Sequence, residues 1–325
     1  MARVLIVGCG ELGSRHLQAV AALPEVTTID VVDPRPEALE RGRQRLAEAA
    51  DRAPALAVRW LTTLPQDQCA AALCIVATRA EQRCALVQQV ATQLGVRQFL
   101  IEKVVGQSVA EIEALSAFAN ERGLLIWVNC KARAYPFHQR AKQRFVAGEP
   151  ISFSVIGGNH GLASNGLHLV DLFAFYDGCR HLENAGSVID PILHRTKRGL
   201  YDLSGTLHAV SEHGSHLTLS YAADHEQSEL IMVSNRRYRC LVDHVQRWAA
   251  ESDEASGWAW RPVPFEGNLM VSNMTKTFVR DILASGRCEL PRLEDALVAH
   301  RFVLSELRPH FSRLMEREVE LCPVT

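Results

Sequence analysis

The sequence predicts two domains of different class: an α/β domain with a mostly parallel, doubly wound sheet, then an α+β domain with a large antiparallel sheet. Three observations predict it. The chain has 325 residues, and a single hydrophobic core stops growing at roughly 250–300. Up to Val128, strand and helix signals alternate, as in a sheet covered by helices on both faces. Beyond Gly148, strand signals follow one another with few helices between. The boundary is placed between residues 125 and 126.

The elements follow in order. Val4–Val7 is a short buried-strand run stopped by Gly8, and Leu12–Leu23 carries Leu17, Val20 and Ala21 at helical spacing. Thr28–Val32 reads as a second strand ending at Asp33. Pro36 opens a helix rich in good formers, Glu37–Ala50. A weak strand at Ala57–Trp60 precedes a strong one at Leu73–Ala77. A helix over Glu81–Leu94 then ends at Gly95. Phe99–Ile101, a helix over Val109–Asn120 and Leu124–Val128 complete the first domain.

In the second domain the expected strands are Ser152–Ile156, Ser187–Ile189, Gly205–Val210, Ser215–Tyr221, Leu230–Ser234 and Tyr238–Val242. Leu217, Leu219 and Tyr221 alternate with His216, Thr218 and Ser220, the period of a strand with one buried face. Two helices close the chain, Leu269–Ala284 and Leu293–Leu314.

The first loop carries chemistry. Gly8-Cys9-Gly10-Glu11-Leu12-Gly13 follows a strand, opens a helix and begins a βαβ unit. In that context GxGxxG is the dinucleotide-binding loop of a Rossmann domain. Gly8 permits the tight turn, Gly10 lets the backbone approach a pyrophosphate, and Gly13 lets helix and strand pack closely. Free N–H groups at the helix start face the phosphates. Asp33, twenty positions after Gly13 at the end of the second strand, suits both ribose hydroxyls of NAD and repels the 2′-phosphate of NADP. Arg35 argues the other way, because a guanidinium pairs with phosphate. NAD is the expected cofactor, with NADP the alternative.

In such sheets ligands bind beyond the carboxyl ends of the strands. Thr78-Arg79 and Glu102-Lys103 stand at two of those ends. A lysine there can stabilise an alkoxide, although a solvated surface lysine fits the spacing equally well. Within Asn165-Gly166-Leu167-His168-Leu169-Val170-Asp171-Leu172, a helix puts His168 and Asp171 on one face. Histidine suits alcohol–ketone chemistry because its pKa lies near neutrality. The bland alternative is a structural histidine held by a carboxylate.

Composition narrows the partners. Hydrophobic residues make up 47% and charged residues 22%, with a net charge of −2. This gives no electrostatic case for nucleic acid or an anionic membrane. Nine cysteines, at 9, 69, 74, 84, 130, 179, 240, 288 and 322, include no CxxC pair and read as reduced thiols of a cytoplasmic protein. No run reaches the ~18–20 apolar residues of a membrane span. His208, His213, His216 and His225 are close in sequence but have no converging pattern, so no metal is expected. Asn235-Arg236-Arg237-Tyr238-Arg239 reads as a solvated hairpin, and Trp258 and Trp260 as an edge strand or a lid loop.

GxGxxG, Glu102-Lys103 and Gly166-x-His168-x-x-Asp171 together resemble the Gfo/Idh/MocA oxidoreductases, and the resemblance extends to Leu290–Ala296. It implies that the second sheet is open and that the chain forms homodimers or homotetramers through it. It also implies hydride transfer between NAD(P) and a hydroxyl-bearing carbon of a sugar, cyclitol or nucleotide-sugar. The family's Glu-Lys-Pro falls on Glu102, Lys103 and Val104. Its lysine, which sits beside nicotinamide and substrate, is Lys103. Its Asp-x-x-x-His falls on Ser164 and His168, the latter its usual proton acceptor. Valine in place of proline implies a trans Lys103–Val104 bond and a displaced Lys103. Ser164 supplies no charge to His168. Trp127–Arg133 with Gly158–Asn165 resembles a surface-glycan sugar subgroup. By position Lys131, Arg133 and Asn165 join His168 and Asp171 at the substrate, while Gly8, Gly10, Glu11, Leu12, Gly13, Asp33, Arg35, Thr78, Arg79, Glu102 and Lys103 are expected at the cofactor. The resemblance leaves two alternatives: NAD-dependent glycoside cleavage without net redox change, and a non-catalytic NAD-binding regulator, to which the altered motifs at Val104 and Ser164 point.

Overall fold

In a computed structural model, residues 1–49, 51–53, 55–66, 70–158, 161–196, 199–266 and 270–325 are described, without the side chain of Ser272. The expected helix ends at Ala50 and Leu269, Cys69, and the pair Asn159–His160 lie outside the described residues. The chain divides into two compact units. The first holds Met1–Gly106, Ala110–Asn129 and Asn268–Leu293; the second holds Gln107–Val109, Cys130–Gly267 and Glu294–Thr325.

The first unit runs β1 (Ala2–Val7), α1 (Glu11–Ala21), β2 (Val26–Val32), α2 (Pro36–Ala47), β3 (Ala57–Leu61), β4 (Leu73–Val76), α3 (Ala80–Leu94), β5 (Gln98–Ile101), α4 (Val109–Arg122) and β6 (Leu125–Val128). All six strands are parallel, in the order β3-β2-β1-β4-β5-β6. The chain order reverses between β1 and β4, which is the switch point where such sheets bind ligands. Central strands are apolar throughout because helices cover both faces: Val4, Leu5, Ile6, Leu73, Ile75, Phe99 and Ile101 are fully buried. The sheet continues through Val128, so the boundary falls after Asn129 rather than at 125.

The second unit begins with a 3-10 turn, Lys131–Ala134, followed by α5 (Pro136–Lys142), β7 (Ser152–Gly158) and α6 (Gly166–Asp177). Next come β8 (Leu182–Asn184), β9 (Val188–Ile189), β10 (His194–Arg195), β11 (Tyr201–Asp202), β12 (Gly205–Ser211), β13 (His216–Ala222), β14 (Leu230–Ser234), β15 (Tyr238–Asp243), β16 (Trp248–Asp253) and β17 (Arg261–Val263). The main sheet has the order β17-β16-β15-β14-β7-β13-β12-β8, with β9 also on β12. Its pairs are antiparallel except β7–β13. Inner residues such as Phe153, Val155, Leu217, Leu219, Ile231 and Val233 are buried, while alternate positions face outward.

The expected edge strand after Trp258 and Trp260 is β17, and both indoles flank the Arg239 guanidinium at 5.3 and 4.6 Å. Arg236 and Arg237 occupy the β14–β15 hairpin, closed by Asn235 N–H donating to Tyr238 O at 2.9 Å. Of the final helices, α7 (Val271–Ser285) belongs to the first unit and α8 (Leu293–Leu314) almost wholly to the second. No helix of the described residues is long and apolar enough to cross a membrane.

Candidate functional site

The glycine loop has the geometry of a phosphate cradle. Gly8 has φ +91°, a left-handed conformation suited to glycine. A Cβ on Gly13 would lie 1.8 Å from the Gly8 carbonyl oxygen, so only glycine fits there. A Cβ on Gly10 would meet only Arg35 Nη2, at 3.8 Å. No side chain caps α1 at Gly10, which leaves the first-turn N–H groups, those of Glu11 and Leu12 among them, turned toward an anion. Thr78, two residues beyond β4 and beside Gly8, has a shielded Oγ1 with no hydrogen-bond partner among the described residues. These features fit a dinucleotide. The Glu11 side chain points to solvent and pairs with Arg45 and, at 3.4 Å, Arg41. Arg79 is exposed at the N-cap of α3.

Asp33 is engaged within the protein. Its Oδ2 accepts from Cys9 N–H at 2.8 Å and Arg35 Nη2 at 3.1 Å; its Oδ1 accepts from Arg35 N–H at 3.0 Å and Arg35 Nε at 3.1 Å. Burial opposes ionisation, but the Arg35 and backbone hydrogen bonds outweigh it and hold the carboxyl below its ordinary pKa. Both oxygens are therefore filled, and a ribose must compete with Arg35, whose side chain is 55% exposed and able to move. The NAD preference argued from Asp33 alone is thereby balanced by Arg35. We expect Arg35→Ala to release Asp33 and raise the ratio of kcat/KM for NAD over NADP by about tenfold, as one charge-assisted hydrogen bond warrants. Steady-state assays with both cofactors check this; an unchanged ratio removes Arg35 from the discrimination.

The Glu102-Lys103 end of β5 is built from residues the sequence reading left out. The parallel register pairs Ile101 with Val128, which sets Glu102 beside Asn129. Glu102 Oε1 accepts from Asn129 Nδ2 at 2.6 Å and lies 2.8 Å from His16 Nε2. His16 Nδ1 in turn meets Thr275 Oγ1 of α7 at 2.9 Å. All four side chains are buried. Burial opposes the Glu102 charge, yet the hydrogen bonds and charge of His16, with Asn129, hold its pKa at about 2. Glu102 thus fixes the strand end, and half-buried Lys103 follows it directly. The expected trans bond is not found: Lys103–Val104 is cis. Tertiary surroundings override the local preference, for Val104 is buried and its carbonyl accepts from the enclosed Arg83 guanidinium, which also holds the Thr78 carbonyl.

In the second unit, every residue of α6 is buried except His168 and Phe175. His168 is the half-exposed polar position of an apolar helix, one turn beyond exposed Asn165. Asp171 and Arg133 meet each other. Arg133 Nε and Nη2 donate to the Asp171 carboxylate at 2.8 and 2.7 Å, and the guanidinium lies over the Phe175 ring at 5.3 Å. Both are buried, so this pair braces the Lys131–Ala134 turn against α6, and its hydrogen bonds are not directed at a ligand. Lys131 is half-buried on that turn. Burial, and secondarily the Lys131 charge, press His244 down to about 4, despite opposition from Asp243.

The clustered histidines separate: His208 meets Thr218, His213 meets Asp177 and His225 meets Asp224. Among the described residues no group of His, Cys, Asp and Glu could hold a metal.

Comparison with known proteins agrees with this geometry. Residues 2–130 match the family described as "Oxidoreductase family, NAD-binding Rossmann fold", GFO_IDH_MocA. No curated protein sequence matches the chain. Among solved structures, UDP-N-acetylglucosamine 3-dehydrogenase GnnA from Acidithiobacillus ferrooxidans is similar over 98% of this chain and 97% of its own, at 19% identity and TM-score 0.70. KijD10, a 3-ketoreductase from Actinomadura kijaniata in complex with NADP and TDP-benzene, covers 95% and 97% at 17% identity and TM-score 0.71. An oxidoreductase from Agrobacterium radiobacter in complex with NAD+, L-tartaric acid and magnesium covers 93% and 94% at 13% identity and TM-score 0.72. At such identities the structural likeness establishes the fold. Residues 2–130 thus match the NAD-binding Rossmann domain of the GFO_IDH_MocA oxidoreductases.

Proposed function

We propose that this NAD(P)-dependent oxidoreductase acts on a hydroxyl-bearing carbon of a sugar, with nucleotide-sugars as the substrate class. The observation that carries the reading is the strand end Glu102-Lys103, locked by His16 and Asn129 in the unit that holds the dinucleotide loop. The similar folds of a UDP-N-acetylglucosamine dehydrogenase and a ketoreductase bound to TDP-benzene support the substrate class.

A bound nicotinamide supplies the hydride donor or acceptor. The chain supplies the rest. Loop amides at Gly8–Gly13 bind phosphate, and Asp33 with Arg35 meets the ribose end. Lys103 Nζ donates to the reacting oxygen and offsets its developing charge. The His168 imidazole takes the hydroxyl proton in oxidation and returns it in reduction. Lys131 and Asn165 hold the rest of the sugar, with Arg133 and Asp171 bracing the segments that carry them. Self-association through the outer face of the large sheet, where Ile156 and Leu230 are exposed and paired in register, belongs to the same proposal; sedimentation reads it.

Lys103→Ala and His168→Ala are each expected to lower kcat by about 10²–10⁴-fold, the usual contribution of a positioned proton-transfer or oxyanion group. Cofactor affinity, read by NADH fluorescence, should remain. The assay follows nicotinamide absorbance with a panel of UDP- and TDP-sugars. Turnover without net NADH favours glycoside cleavage. Tight cofactor binding, no turnover and no effect of either substitution favours a regulator.

A further inference from the structure

We propose that Asp202 is a positioning residue for His168. The inference rests on the proton-handling role of His168 given above. Asp202 lies at the end of β11 and is 1% exposed. Its Oδ1 accepts from Ala163 N–H at 2.9 Å and Leu203 N–H at 2.8 Å. Its Oδ2 accepts from Ser164 N–H at 3.2 Å and from the Ser164 hydroxyl. A buried carboxylate is tolerated only when hydrogen-bonded, and here four donors surround two oxygens. Each oxygen faces at least one backbone N–H, so an asparagine amide would turn its own N–H toward one of them.

Three of the four donors sit in the segment that leads into α6. That segment is tied a second time to the same strand end, by Gly161 and Leu162 N–H donating to Leu203 O at 3.1 and 3.2 Å. It then closes on itself, the Gly161 carbonyl accepting from Asn165 and Gly166 N–H, both at 2.8 Å. Gly161 has φ +142°, a backbone that a side chain would strain. The N-cap residue Asn165 makes no side-chain capping bond. The start of α6 is therefore anchored from outside the helix, through Ser164 and Ala163 to Asp202. Ser164 stands four residues before His168 and immediately before Asn165, the N-cap of α6. Through this anchor Asp202 sets where the first turn of α6 begins and how the imidazole is aimed.

The test uses the full chain with NADH bound, in Asp202→Asn and in Ser164→Ala. The latter removes only one donor and keeps the carboxylate. The His168 resonance is identified among the 13 histidines by its loss in His168→Ala. It is expected to shift in both variants, more in Asp202→Asn. With a turned-over sugar, kcat falls about ten- to a hundredfold in Asp202→Asn, as misaligned catalytic groups do, while KM for the cofactor holds. An unmoved His168 resonance in folded Asp202→Asn overturns the proposal. If that variant does not fold, an unmoved resonance in Ser164→Ala overturns it. Should His168→Ala itself leave turnover intact, the catalytic reading of His168 fails, while the resonance still decides whether Asp202 positions it.

Discussion

Arg133→Met is expected to destabilise the second unit by about 3–5 kcal/mol, the usual effect of stripping one partner from a buried ion pair. Asp171 is fully buried, and Arg133 gives it two short, parallel hydrogen bonds. Burial already raises the Asp171 pKa, against the pull of Arg133. Without the guanidinium the carboxylate is bare and takes up a proton more readily still. A carboxyl whose folded pKa is raised above its unfolded value stabilises the fold below the unfolded pKa and loses that contribution as pH rises through the folded one. The variant should therefore recover stability, relative to the parent, as pH falls from neutrality toward 5. Urea unfolding across that range reads the effect, and Arg133→Met/Asp171→Asn should be more stable than Arg133→Met alone. A single variant with parental stability would mean that Asp171 finds another partner.

The second large effect is at Glu102. Glu102→Gln should cost about 3 kcal/mol of stability, because a pKa of about 2 against an ordinary 4.5 corresponds to that difference in a fully buried group. The sign follows from the depressed value. The contribution is complete above about pH 4.5 and is lost as pH falls toward 2. Acid unfolding followed by circular dichroism should show the parent losing stability through that window and the glutamine variant losing less. Activity should fall as well, since Lys103 follows directly on the strand end that Glu102 fixes. Coincident acid unfolding of parent and variant would contradict the assignment.

How far the sequence could be read depended on whether the cause was local. Turn, strand and helix of the glycine loop lie within about thirty residues, and the reading there needed no correction. The helix Leu293–Leu314 was legible to the residue from its leucine stripe. The strands β8, β10 and β11 have only two or three residues, too short for any period to show. β16 was missed because Ala249, Ala250 and Glu251 carry little strand signal; pairing with β15 makes it a strand. The same distinction divides the site. Arg133 and Asp171 are 38 residues apart and His16 and Glu102 are 86 apart, so no pattern along the chain announces either pair. Charged residues read as ligand contacts became each other's partners, because a buried charge must first be satisfied within the fold. The carboxylate absent at Ser164 reappears at Asp202, brought there by the turn before α6.

The first unit has a consequence for synthesis. Its sheet is finished by residue 128, but α7, which supplies Thr275 to His16 and buries Phe278, Val279 and Ile282, is some 140 residues further along. A ribosome must therefore make almost the entire second unit before the first can close its hydrogen-bond chain from Thr275 through His16 to Glu102. The nucleotide fold is drawn up early, but the strand end that carries Lys103 is the last part of it to be secured.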